Sequence, residues 1–274
     1  MLSNYIIALL ATGAVVGFAS GLLGVGGCFL MIPVQYWIYT AIGVPADVAI
    51  KVAFGTNLLV VLPTAASGAW GHSRKKAVWW KAGVVLGVCG MIGSFAGATI
   101  ASHLPGSALK FAFGIAILAG GIRMLTARPP RVEEEPKNSF WLWVAWGIPM
   151  GVVTGIVGIG GGVLLVPIMV LALKFKMHNA VGTSTAMMIF TSIGGVIGYI
   201  VNGLGVTGLP AGSIGYVHVW SWLALAATSV LMAQVGARTA HRIPAKQLRW
   251  IFIAVMLYMG LKMIGVFDWL GWPI

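Results

Sequence analysis

The 274 residues are 59% hydrophobic and only 8% charged, with a mean hydropathy of +0.97, which is more apolar surface than a water-soluble core of this length can bury. A net charge of +12 would suggest a nucleic-acid partner in a soluble chain. Here the basic side chains gather at the ends of apolar segments, the pattern of membrane topology signals, so nucleic acid is not expected and the lipid bilayer is the expected surroundings.

In chain order, Met1 to Asn4 carries no basic side chain ahead of the first apolar run, so a retained N-terminus is expected rather than a cleaved signal peptide. That run, Tyr5 to Tyr39, would extend roughly 50 Å as one straight helix against a hydrocarbon core of about 30 Å. It is interrupted by Gly21-Leu-Leu-Gly-Val-Gly-Gly27, with Cys28 next and Pro33 beyond. Helices are expected at about 46–71, 78–102 and 107–126. The first of these holds Lys51 and the run Gly55-Thr56-Asn57, and the second holds Cys89. Neither cysteine sits in a CxxC or Cys/His cluster, so both read as small packing residues, with no disulfide or metal site indicated. Residues 128–138, with Pro129-Pro130, Glu133-Glu134-Glu135 and Pro136, read as a solvated linker.

After the linker the pattern begins again. Trp141 to Leu173 is also too long for one crossing, and Gly155-Ile-Val-Gly-Ile-Gly-Gly161, followed by Gly162 and Pro167, answers the first glycine run at one offset. His178-Asn-Ala-Val-Gly-Thr-Ser184 answers Lys51 to Asn57, and Gly236-Ala-Arg-Thr-Ala-His-Arg-Ile-Pro244 answers Gly97 to Pro105. Further helices are expected at about 179–202, 217–240 and 246–266. The chain thus divides into repeat 1 (1–127, led by a segment at 5–40), the linker, and repeat 2 (139–274, led by a segment at 141–173).

The distribution of Lys and Arg distinguishes two topologies. If each leading segment crosses fully, the better placement puts nine basic residues inside and eight outside, which is no bias. If each is a re-entrant hairpin returning to its own side, each repeat has three crossings and the second is inverted. Fourteen basic residues then fall inside, against Lys51, Lys110 and Lys262 outside. The expected fold is therefore an all-α integral membrane protein of two inverted repeats, each a glycine-broken hairpin plus three transmembrane helices. In this arrangement both termini lie outside and the linker lies in the cytoplasm.

A re-entrant break exposes unpaired N–H groups at the start of its second limb, where the helix dipole adds positive potential, and glycine lets an oxyanion approach them. Candidate substrate-binding residues are Gly24, Gly26, Gly27 and Cys28 at the first break and Gly158, Gly160, Gly161 and Gly162 at the second. Thr56, Asn57, Thr183, Ser184 and Thr185 are uncharged polar residues at similar depth. Close helix packing is the competing reading for Gly17/Gly21 and Gly151/Gly155, and hydrogen bonding between helices for the hydroxyl residues. Lys51 and His178 occupy equivalent repeat positions and are candidates for gating or coupling. Apart from the linker acids, only Asp47 and Asp268 are acidic, which disfavours a cation carrier. Proton coupling would fall to His72, His103, His178, His218 or His241, or to the substrate's own protonation, and each His reads first as an interfacial residue.

The paired glycine motifs with Pro33 and Pro167, together with Gly55-Thr56 and Gly182-Thr183, resemble those of the TauE/SafE family of sulfite and organosulfonate exporters over essentially the whole chain. The resemblance implies a membrane transporter, not an enzyme, without cofactor or catalytic residue, moving a small sulfur oxyanion or organosulfonate across the cell (inner) membrane. Export is the usual direction in that family. Cys28 stands where the second copy has Gly162, so the two breaks are not equivalent. A passive anion channel and a proton-coupled importer of a related organic anion use the same donors and stay open.

Overall fold

A computed structural model describes residues 2–23, 28–126, 138–160, 162–239 and 245–269. Among these, Ala46–Arg74, Trp80–His103, Gly106–Arg123, Phe140–Val157 and Asn179–Gly203 are long and apolar enough to cross a membrane. The molecule is a multi-pass helical membrane protein, and large apolar side chains such as Ile7, Phe111, Trp141 and Leu231 stand exposed on its outside, as lipid contact requires.

The leading segment of repeat 1 forms α1 (Leu2–Leu23) and α2 (Cys28–Ala41). It is followed by α3 (Ala46–Arg74), α4 (Trp80–His103) and α5 (Gly106–Thr126). The second leading segment forms α6 (Phe140–Val157) and α7 (Gly162–Leu171), followed by α8 (Met177–Gly203), α9 (Val219–Thr239), α10 (Ala245–Ile264) and the short α11 (Val266–Trp269). The limbs are unequal. At 1.5 Å per residue, α1 is about 33 Å long and α2 about 21 Å, while α6 is about 27 Å and α7 about 15 Å.

Two features went unforeseen. One is α11; the other is a small antiparallel ribbon, β1 (Ser213–Ile214) and β2 (Val217–His218), between α8 and α9. The ribbon folds because Gly205, Gly208, Gly212 and Gly215 supply left-handed turns at short intervals.

The closest helix seams lie between the repeats. A Cβ added to Gly147 or Gly151 of α6 would strike Leu86, Cys89 or Gly90 of α4, and one added to Gly155 would strike Ser94 and Ala98. At the equivalent places in the other copy, Gly13 of α1 lies against Leu225 and Thr228 of α9, and Gly17 against Ser229. Each leading helix is thus packed on the fourth helix of the opposite repeat, α4 or α9, and glycine permits the backbone approach. The expected packing role of Gly151 and Gly155 is met at this seam; in α1 the described pair is Gly13 and Gly17.

The Gly-Thr pairs make a second exchange. Gly55 leaves room for the Tyr216 carbonyl, and the Thr56 hydroxyl accepts the His218 N–H at 2.9 Å. In the same manner Gly182 leaves room for the Ala77 carbonyl, and the Thr183 hydroxyl accepts the Trp79 N–H at 3.0 Å. Trp79 and His218 immediately precede α4 and α9, so each Thr holds the start of the other repeat's fourth helix.

Candidate functional site

Where the second leading segment breaks, α6 ends at Gly158, whose φ of +66° puts it in the left-handed region and whose N–H bonds the Thr154 carbonyl at 2.9 Å. Gly160 is also left-handed, at φ +71°. Only glycine takes these angles without penalty. A Cβ on Gly158 would sit 2.7 Å from Phe54, and one on Gly160 would sit 2.8 Å from Val61, so α3 lies directly on the break.

Two buried side chains of repeat 1 reach it. The Asn57 amide Nδ2 donates to the Gly158 carbonyl at 2.7 Å, and the Cys28 thiol donates to the Ile159 carbonyl at 2.6 Å. Cys28 is the first residue of α2, so the start of α2 touches the break of the other leading segment. Asn57 Oδ1 is buried with no hydrogen-bond partner, an acceptor left open at the meeting point.

The other candidates stand as follows. Gly24, Gly26, Gly27 and Gly161 lie outside the described residues, and Gly162 is the first residue of α7. Thr56 and Thr183 are buried and accept the N–H bonds described above. Ser184, the counterpart of Asn57, donates to the Val181 carbonyl at 2.9 Å, and Thr185 to the Gly182 carbonyl at 2.7 Å. These two hydroxyls face their own helix backbone rather than a neighbour.

Lys51 is almost fully buried and pairs with Asp47 at 3.0 Å, while the other oxygen of Asp47 accepts the Gly106 N–H at the start of α5. Its charge is thereby balanced and tied to a helix cap. His178 lies in the first turn of α8, and its side chain is outside the described atoms. An apolar recess of about 210 Å³ opens against Trp146, Pro149, Met150, Val153 and Leu165. Among the described residues its wall offers only the Thr154 hydroxyl and the Trp146 indole as polar groups, which does not suit an anion.

Sequence reasoning missed Gln35, Tyr39 and Ser221. All three are buried, and the Tyr39 hydroxyl donates to Gln35 Oε1 at 3.3 Å. The signal was present: Gln35 is the only amide in the apolar stretch of α2.

Glycine-broken apolar segments set among helices long enough to cross a bilayer define a multi-pass membrane protein of the transporter class. Residues 9–263 match the model of the sulfite exporter TauE/SafE family. This chain belongs to that family. It is 30% identical, across 93% of its length and 94% of the relative's, to a probable membrane transporter protein of Methanocaldococcus jannaschii. A probable membrane transporter protein of Haemophilus influenzae is 27% identical (95% of this chain, 98% of the relative), and YunE, a probable membrane transporter protein of Bacillus subtilis, is 26% identical over the same shares. No solved structure matches the chain.

Proposed function

We propose that this protein carries a small sulfur oxyanion or organosulfonate, of the sulfite or sulfoacetate kind, out of the cell across the inner membrane through a site where the two glycine-rich breaks meet. The observation that carries the reading is the pair of contacts from Asn57 and Cys28 to the carbonyls of Gly158 and Ile159. An amide and a thiol are neutral donors, suited to an anion that must also be released. In the resting state they are spent on carbonyls. An oxyanion arriving between the breaks competes for the same donors, joined by backbone N–H groups in the first turns of α2 and α7. Binding therefore loosens the contact that joins the repeats, which links occupancy to movement.

The inverted arrangement belongs to this proposal. It is supported by the fourteen-to-three distribution of basic residues and by the reciprocal seams, α1 on α9 and α6 on α4, which a two-fold relation between repeats would produce. Each repeat then contributes a re-entrant hairpin and three crossings, with both termini outside and residues 128–138 in the cytoplasm. No cofactor is required, and the partners are the anion and the bilayer.

The test is uptake of sulfite, sulfate, thiosulfate, sulfoacetate and taurine into proteoliposomes, with Asn57→Leu beside the parent. Asn57→Leu removes the donor and leaves the Gly158 carbonyl unpaired, a loss of about 1–3 kcal/mol. Flux of the preferred anion should fall at least about tenfold while the variant still purifies as a single species. Equal flux would remove the site from the breaks. Labelling of single cysteines at the N-terminus and at residue 206 from the outer side checks the topology; cytoplasmic labelling of both would refute it.

A further inference from the structure

Past Cys28, the buried face of α2 has no role in the anion site itself. Cys28, Ile32, Gln35 and Tyr39 follow the 4-3-4 spacing of one helix face and are all essentially inaccessible. Beyond Tyr39 the stripe continues in side chains of other elements. The hydroxyls of Thr56 and Ser221 stand beside the Tyr39 hydroxyl, and the His218 ring meets the Tyr39 ring edge-on at 5.6 Å. His218 Nδ1 lies 2.7 Å from Ser221 Oγ, and His218 Nε2 lies 3.1 Å from the carbonyl of Ala211, a residue of the exposed loop. A line of polar groups thus runs from the exposed ribbon loop, through His218, Ser221 and Tyr39, to Gln35, whose buried Nε2 has no partner, with the Ser221 and Tyr39 hydroxyls side by side.

The scaffold does not demand this polarity. At the equivalent positions of the other repeat stand Met169 for Gln35, Leu173 for Tyr39, Ala82 for Ser221 and Trp79 for His218. Met169, Leu173 and Ala82 are fully buried, and Trp79 packs against Trp143 and Phe175 at 5.8 and 5.3 Å. The same architecture therefore closes with apolar groups at one end and with a titratable polar chain at the other.

We infer that His218 takes up the proton that drives this transporter, and that Ser221, Tyr39 and Gln35 pass its protonation to α2 and so to Cys28 at the break. The inference rests on the transporter reading above. Its partners fix the tautomer: the neutral imidazole donates Nε2–H to Ala211 and accepts at Nδ1 from the Ser221 hydroxyl and from the Ser221 N–H, 3.3 Å away. Nδ1 thereby caps the first turn of α9.

A proton from water that reaches Nδ1 forms one N–H bond and leaves an imidazolium. Nδ1–H now donates to Ser221 Oγ, the Ser221 hydrogen turns to the Tyr39 oxygen, and Tyr39 keeps its own hydrogen on Gln35. The Ser221 N–H loses its acceptor, and the new positive charge faces the positive end of α9. Both effects loosen α9 from α2. Burial holds the His218 imidazole below its ordinary value, with the Ala211 hydrogen bond pulling the other way. The titratable groups on the elements around it are Cys28, Tyr36 and Tyr39 on α2, Lys51 and Asp47 on α3, which pair with each other, Tyr199 on α8 and Tyr216 in the ribbon, with His72 and Arg74 at the far end of α3 and His178 at the far end of α8; α9 carries no charged residue from Val219 to Val235.

The test is maleimide labelling of Cys28 in the purified full-length protein with Cys89→Ser, read with no substrate present. His218→Asn keeps a side-chain acceptor at the cap but cannot take up the proton. The labelling rate of the parent divided by that of His218→Asn should rise roughly tenfold or more between about pH 7.5 and about pH 5, and the division cancels the pH dependence of the thiol. Tyr39→Phe, which cuts the chain but leaves His218 able to titrate, should abolish the rise. A flat ratio, or a rise that Tyr39→Phe leaves intact, overturns the inference. Sulfite flux in proteoliposomes is the second arm. A rising ratio without flux of sulfite leaves the proton site standing and refutes the sulfite reading, whereas sulfite flux with a flat ratio does the reverse.

Discussion

Gly158→Leu should reduce anion flux by at least about a hundredfold while the protein still inserts and purifies as one species. Two effects combine. The left-handed φ of +66° costs an L-residue about 1–2 kcal/mol, and the new Cβ would sit 2.7 Å from Phe54 Cβ and Cγ. Phe54 cannot yield easily, because it is fully buried and its ring lies 5.8 Å from that of Phe113. The break must move away from α3, and Asn57 and Cys28 then lose the carbonyls of Gly158 and Ile159. A factor of a hundred corresponds to about 2.7 kcal/mol, which the clash and the lost bonds supply between them.

Gly43→Leu is the control. Gly43 has a φ of +89°, but a Cβ there meets nothing within 4 Å, so the backbone penalty is kept without the collision. Initial-rate uptake in proteoliposomes, normalised to reconstituted protein, reads both variants. If Gly43→Leu loses flux as fully as Gly158→Leu, the effect is general instability and the break has no special part in transport.

Gly151→Leu should act earlier, on folding. A Cβ there would overlap the Gly90 carbonyl and lie 2.7 Å from the Gly90 Cα and C atoms. The obstacle is backbone, so no rotamer change relieves it. The seam between α4 and α6 must open, and the close approaches at Gly93, Gly97, Gly147 and Gly155 open with it. Overpacking a single core site costs about 1–3 kcal/mol, and a seam that parts along its length costs more, against a total stability of about 5–15 kcal/mol. The yield of monodisperse protein in mild detergent should fall at least about tenfold. Val153→Leu, two residues on and exposed on the opposite side of α6, should leave the yield unchanged. Fluorescence-detected size exclusion of whole-membrane extracts separates the two outcomes.

How much of this was legible in the sequence depends on the kind of interaction. The helical membrane class followed from composition, and the helices of the structure end within a few residues of the polar joints and Gly/Pro clusters that mark them in sequence. The unequal limbs did not follow: where a break falls is written in the glycines, but how far each limb runs depends on what it packs against. The Gly-Thr pairs show the limit most clearly. Their duplication was evident, yet a hydroxyl in an apolar helix reads equally as a ligand donor or as a brace. Only the distances to the His218 and Trp79 N–H groups, contributed by residues more than a hundred positions away, show the Thr oxygens in bracing contacts. Gln35 and Tyr39 escaped notice for a related reason. They lie in the copy of the repeat that departs from the other, and a search for what the copies share passes over what only one of them has.

The reciprocal seams also bear on how the chain is made. Gly147, Gly151 and Gly155 find their partners on α4, already synthesised some sixty residues earlier. Gly13 and Gly17 have to wait for α9, about two hundred residues downstream. At ribosomal rates of about 5–20 residues per second, α1 spends ~10–40 s in the bilayer with its small-residue face unpartnered. During that interval any neighbouring helix with a smooth face is a rival. Of the described helices α1 is thus among the last to be locked in place, and it is the one for which an insertion chaperone has the longest time to act.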